Sequence, residues 1–144
     1  MSNSLKRRVL FPTKAVSFKI RSKEYFLTLF IIFTCPVGKY YTGEIKVKIE
    51  PKFTRAAKGG VGRAKAAGNY GASLYPAKQC QMQGFHQLVW TDAKEHLYIE
   101  ESGTMNIIFQ IGGKLITPSE EADTILRGIT KRSVLELAAS WGIE

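Results

Sequence analysis

A chain of 144 residues with 44% apolar content can bury one respectable core, and a single domain is the expectation. Its formal charge of +9 is uneven: residues 1–23 carry seven basic side chains and no acid, 24–78 nine against three, and 79–144 five against nine. A basic balance invites nucleic acid, yet the basic middle has neither aromatic platforms nor a recognition helix, so that class is set aside.

Residues 1–23 read as a basic leader. They precede the apolar run YFLTLFIIF, a pattern that superficially suggests a secretory signal. The charged region is too long for one, and TCPVGKYY offers no small-residue cleavage site. The run is also far shorter than the roughly twenty residues needed to span a bilayer. A buried strand over 26–33 is the reading, in a cytoplasmic chain with no membrane segment. PVGKYYTG then reads as a turn, and EIKVKIE alternates with period two as a half-buried strand does.

The pattern NYGASLYPAKQCQMQG predicts a helix with Asn69 near its start and Gly84 as its stop, although Pro76 counts against a regular one. HQLVWTD and HLYIEES are two short strands around a charged turn. MNIIFQI and KLITP flank Gly112-Gly113, a strong hairpin signal. ITKRSVLELAASWG repeats apolar residues at helical spacing, with Thr130 placed to cap it and Gly142 to end it. Strands dominate, so the class is α+β or mixed α/β. Cys35 and Cys80 lack CxxC spacing, and His86 and His96 have no partners at metal spacing, so neither a disulfide nor a metal is expected.

The stretch GGVGRAKAAGNYG surrounds one lysine, Lys65, with five glycines and three alanines. A Walker loop fails, because Ala64 precedes Lys65 and Ala66 follows it; the dinucleotide fingerprint fails, because Lys65 stands where its third glycine belongs. A flexible basic loop is one reading, and a lysine that something large and flat approaches closely is the other. Three features accompany it. Tyr70 lies five residues on. Glu100 and Glu101 end a strand at a tight glycine turn. The backbone N–H groups of Ile129 and Thr130, opening the last helix, can bind an anion. A lysine, an acid, a tyrosine and an anion-binding helix start are what a pyridoxal phosphate site needs. No spacing rule by itself brings them together.

The segments CPVGKYY, FTRAAKGGVGRAKAAGNYGASLYPAKQ, LVWTDAKEHLYIEESGTMNIIF and TILRGITKRSVLELA closely resemble branched-chain amino acid aminotransferases, which are fold type IV pyridoxal phosphate enzymes. The resemblance covers about residues 28–144. It implies that Lys65 is the Schiff-base lysine, that Tyr70 bonds the cofactor's phenolic oxygen and that Glu101 partners its pyridine nitrogen. Leu126 then covers the ring, the Ile129 and Thr130 amides hold the phosphate, Arg55 lies near the cofactor, and Tyr40 and Thr104 line the substrate pocket. The implied lysine is buried, with its basicity lowered so that it can move a proton. The implied partners are leucine, isoleucine or valine, with 2-oxoglutarate, and the implied assembly is a homodimer.

On this resemblance residues 24–144 form part of the larger, cofactor-binding domain, and residues 1–23 match nothing in the family. Members are about twice this length, and Arg127 stands where they usually have proline. A truncated enzyme of weak or no activity is therefore expected. The alternatives are an inert folding or assembly unit, or a related enzyme such as a D-amino acid transaminase or aminodeoxychorismate lyase.

Overall fold

The computed structural model describes residues 13–21, 26–39 and 41–144. It divides into two units, Met1–Gly43 and Glu44–Glu144. In the first, β1 (Thr13–Arg21) pairs antiparallel with β2 (Phe26–Thr34), from Thr13 opposite Thr34 to Arg21 opposite Phe26. The strand expected over 26–33 is therefore present, although Ile32 within it is exposed, not buried. Its partner lies within the segment read as a leader, where Val16, Phe18 and Ile20 alternate with Ser17, Lys19 and Arg21. That period-two signal was masked by the charge.

The second unit is built on a three-stranded sheet in the order β3-β4-β5, comprising β3 (Val47–Ile49), β4 (Gln87–Thr91) and β5 (Ile99–Ser102). β3 runs parallel to β4, and the connection between them carries helix α1 (Ala67–Met82). Such a parallel pair needs a long crossover, which the glycine-rich stretch and α1 supply. β3 is shorter than EIKVKIE suggested. Its burial is also opposite to the alternation: Val47 and Ile49 are exposed and Lys48 is half-buried. As an edge strand it makes its ladder bonds on one side only.

α1 continues through Pro76, which is buried; the missing N–H costs one bond to the Ala72 carbonyl. The helix ends as predicted. Gly84 adopts φ +83°, its N–H donates to the Gln81 carbonyl at 2.9 Å, and the Phe85 N–H reaches back to Cys80 at 3.3 Å. This is the two-bond glycine cap that satisfies the last carbonyls. Cys80 packs with Leu88 and Trp90 of β4 as the core, with Phe53 and Phe85 against it. Each such buried apolar side chain contributes about 1.5–3 kcal/mol. Burial also pushes the Cys80 thiol up.

The Gly112-Gly113 hairpin joins β6 (Phe109–Ile111) to β7 (Lys114–Ile116), with both glycines at positive φ as the tight turn requires. Helix α2 (Ile129–Ser140) ends in a second glycine cap at Gly142. Its start differs from expectation. Gly128, not Thr130, is the N-cap, and no side chain caps the helix, so its first amides are left for another acceptor. No helix among the described residues is long and apolar enough to cross a membrane.

Candidate active site

Glu101 is the centre of the site. It stands opposite Trp90 in the β4–β5 ladder, and the register slips between Trp90 and Thr91, leaving Glu100 without a Cα partner. Such a bulge re-aims side chains, and the two acids point into different cavities. Both are buried, at 6% and 3% exposure, so they are not a solvated acid pair. Glu100 accepts the Thr124 hydroxyl at 2.5 Å, and its Oε2 is unpartnered. Glu101 Oε1 accepts the Leu126 N–H at 2.8 Å and the Asn106 side-chain amide at 3.2 Å. Its Oε2 lies 3.0 Å from Arg55 Nε; this is a contact of opposite charges, because the Nε–H makes no directed hydrogen bond.

Burial pushes the Glu101 carboxyl up from its ordinary range, and Arg55 and the Leu126 amide oppose that. Burial raises Glu100 as well, against the Thr124 bond and Arg55. Arg55 itself is buried and joins three segments. Besides facing Glu101, it donates through Nη2 to the Gly62 carbonyl at 3.2 Å and to the Thr124 carbonyl. It thereby ties the glycine-rich loop to the strand end that carries the acid.

Glu101, Thr104, Leu126, Ile129 and Thr130 line one partly open cavity of about 410 Å³. Five of the residues singled out in the sequence therefore meet, although Glu101 and Ile129 are separated by a hairpin and a long connection. The volume lies in the range of small-molecule sites, roughly 300–1,000 Å³. At one wall are Ile129 and Thr130, in the first turn of α2, where the first bond to a carbonyl four residues back is made by the Arg132 N–H, so that the amides before it have no helical acceptor. These amides favour an anion. At another wall the Glu101 carboxylate has both acceptor positions of Oε1 engaged, while Oε2 faces Arg55 without a directed hydrogen bond and can accept a protonated nitrogen.

Lys65 and Tyr70 are not among the residues lining this cavity. Lys65 is exposed, contrary to the burial expected of it, and its Nζ lies 4.5 Å from the centre of the Tyr70 ring. The loop is nevertheless fixed. Arg63 donates through its backbone to the Asp123 carbonyl at 3.0 Å, and Asn69 Nδ2 donates to the Val61 and Ala64 carbonyls at 2.9 and 3.0 Å. Asn69 thus pins the loop rather than capping α1, whose N-cap is Ala66. Tyr40 lies outside the described residues.

The glycines near Lys65 differ in what surrounds them. A Cβ at Gly62 would sit 2.5 Å from the Thr124 carbonyl oxygen and 2.6 Å from Ala56 Cβ, so packing of the chain on itself demands glycine there. A Cβ at Gly68 or Gly71 would meet nothing within 4 Å, so open space surrounds both. The histidines serve structure: His86 Nδ1 accepts the Lys46 N–H at 2.8 Å, and His96 Nδ1 pairs with the Thr91 hydroxyl at 2.9 Å. Sequence reasoning missed Asn106 and gave Arg55 no partner. The spacing from Glu101 to Asn106 across a Gly-Thr turn was the available signal for the first.

The fold is a mixed α/β one, with a buried carboxylate and the start of a helix lining one cavity. The chain belongs to the amino-transferase class IV family, whose profile matches residues 23–144. It is 45% identical over 117 residues to branched-chain-amino-acid aminotransferase 2 of Bacillus subtilis, covering 79% of this chain and 32% of that protein. The branched-chain amino acid aminotransferase of Escherichia coli superposes with a TM-score of 0.72 at 30% identity, over 83% of this chain and 40% of the other. The enzyme of Thermobaculum terrenum in its PLP form shares the fold, with a TM-score of 0.73 at 22% identity over 92% of this chain and 44% of the other. The chain spans about a third of the length of the curated relatives it matches.

Proposed function

We propose that this chain carries the cofactor-binding centre of a branched-chain amino acid aminotransferase. The observation that carries the reading is one cavity lined by both Glu101 and the first residues of α2, Ile129 and Thr130. In this reading the group held there is pyridoxal phosphate, which when bound supplies an electron-accepting ring and a carbonyl for amino-group transfer. The Ile129 and Thr130 amides take the phosphate, and Leu126 lies against the ring. The Glu101 carboxylate accepts the ring N–H, and Arg55 favours its ionised form. Tyr70, which like Lys65 stands off the cavity wall, is assigned the phenolic oxygen by the resemblance alone. Thr104, with Tyr40, lines the side that receives leucine, isoleucine or valine and then 2-oxoglutarate.

Lys65 is the residue assigned to move a proton at the substrate Cα through its Nζ. Its exposure, and its place off the cavity wall, support low turnover by this chain alone. Misplacement of a reacting group by about 1 Å costs roughly a hundredfold. The same exposure favours a second reading, a unit that folds or assembles without turnover. A homodimer, as the resemblance implies, is the assembly in which the site would work.

Pyridoxal phosphate is added to the purified chain, followed by borohydride, peptide mapping and a coupled assay with leucine and 2-oxoglutarate. Labelling confined to Lys65, with slow leucine-dependent turnover that disappears in Lys65→Ala, is the expected result. Lys65 labelling without turnover would favour the non-catalytic unit. Labelling scattered over many lysines would refute the cofactor site.

A further inference from the structure

The turn after Glu101 is a two-residue β-turn. Ser102 and Met105 exchange both backbone hydrogen bonds at 2.9 Å, with Gly103 and Thr104 between them and Gly103 at φ +57°. A positive φ at the first central position is what a glycine-first hairpin turn requires. In an antiparallel ladder, closing Ser102 on Met105 sets the next residues out, Glu101 and Asn106, opposite one another. A spacing of five thus becomes a side-chain pair.

The Asn106 amide uses its geometry fully. Its Nδ2 carries two hydrogens, and it has two acceptors: Glu101 Oε1 at 3.2 Å and the Leu126 carbonyl at 2.8 Å. The Leu126 N–H donates to the same Glu101 oxygen at 2.8 Å. Acid, amide and the backbone of Leu126 therefore form one closed ring of hydrogen bonds. Gly128, the N-cap of α2, lies so close to Asn106 Oδ1 that a Cβ there would overlap it. Gly128 has φ −70°, so a side chain there would meet no backbone strain and would instead push against the Asn106 amide.

We propose that Asn106 is a positioning residue that locks Glu101 to the 126–129 turn, so that the acid and the anion-binding amides of α2 face the same cavity in fixed relation. Aspartate cannot replace it, because its carboxylate would set like charge against Glu101 and offer the Leu126 carbonyl no donor. Alanine leaves both acceptors without this donor. The inference rests on the reading of the cavity as a cofactor site, but the hydrogen-bond ring is testable without any cofactor.

The experiment is a carbon-13 NMR titration of the Glu100 and Glu101 carboxyls in the unmodified chain, Asn106→Ala and Asn106→Asp, with Glu101→Gln to assign the resonance. The Glu101 midpoint should rise by about one unit or more in both Asn106 variants, since each removes a donor to the ionised form, while Glu100 moves far less. Pyridoxal phosphate, followed by its visible band, should bind about tenfold more weakly to Asn106→Ala. If the variants do not fold, the unmodified chain still decides. Its Asn106 side-chain amide resonances must shift with the same midpoint as the Glu101 carboxyl. An unchanged Glu101 midpoint in folded variants, or amide resonances that ignore its titration, would overturn the proposal. Absence of any visible band in the unmodified chain, with the Glu101 response intact, would remove the cofactor reading and leave the role of Asn106 standing.

Discussion

Replacing Arg55 by methionine keeps most of the buried volume and deletes the charge that faces Glu101. At 3.0 Å and an effective dielectric of about 20, the attraction is roughly 5 kcal/mol before desolvation is counted. Removing one partner of a buried pair typically costs about 3–5 kcal/mol, because the remaining charge is uncompensated. The lost bonds to the Gly62 and Thr124 carbonyls form a part that does not depend on pH and is worth about 1–3 kcal/mol. The remainder does depend on pH. Burial already raises the Glu101 carboxyl, and without Arg55 it rises further, so the folded state binds a proton that the unfolded state has released. Stability of Arg55→Met therefore falls as pH rises from the ordinary carboxylate range through the elevated folded value, and the full loss is felt above it. Urea unfolding followed by the fluorescence of Trp90, which is buried with its Nε1–H on the Gly103 carbonyl at 2.8 Å, measures this at pH 5 and pH 7.5. A loss of about 3–5 kcal/mol at the higher pH, and clearly less at the lower, is expected. Equal losses at both, or under about 1 kcal/mol at pH 7.5, would show that the pair does not hold the loop to the acid.

Gly62→Ala should destabilise by about 1–3 kcal/mol, because the new methyl meets the Thr124 backbone, whereas Gly68→Ala, in α1 with open space around it, should stabilise by about 0.5–1 kcal/mol; chemical denaturation of the two variants compares them directly. Asp92 accepts four backbone N–H bonds, from Lys94, Glu95, Leu97 and Tyr98, which hold its carboxyl well below the ordinary range. Its stabilisation is complete above the unfolded value and is lost as pH falls toward the folded one, so acid unfolding of Asp92→Asn should show a shallower pH dependence below about pH 4 than the unmodified chain. Glu101→Gln should weaken retention of pyridoxal phosphate and alter its visible band, whereas Glu100→Gln, which faces the other cavity, should leave both nearly unchanged; equal effects would place the wrong acid at the cofactor.

Local pattern determined much of this protein. The two glycine caps at Gly84 and Gly142, the Gly112-Gly113 hairpin and the strands around Asp92 follow from short-range chemistry, and each stands where the sequence puts it. The cluster of Glu101, Leu126, Ile129 and Thr130 was named through motif resemblance, and periodicity alone could not have joined it. Tertiary structure decided the rest, because long-range contacts set it. The bulge at Trp90 and Thr91 separated Glu100 from Glu101, and the partners of Arg55 came from three segments. The need for glycine at position 62 arose from a chain segment some sixty residues away. Burial of an edge strand or of Lys65 depends on what packs against it, a property that neither alternation nor motif resemblance encodes. Val47 and Ile49 are therefore exposed where alternation suggested cover, and Lys65 is exposed where the family resemblance implied burial.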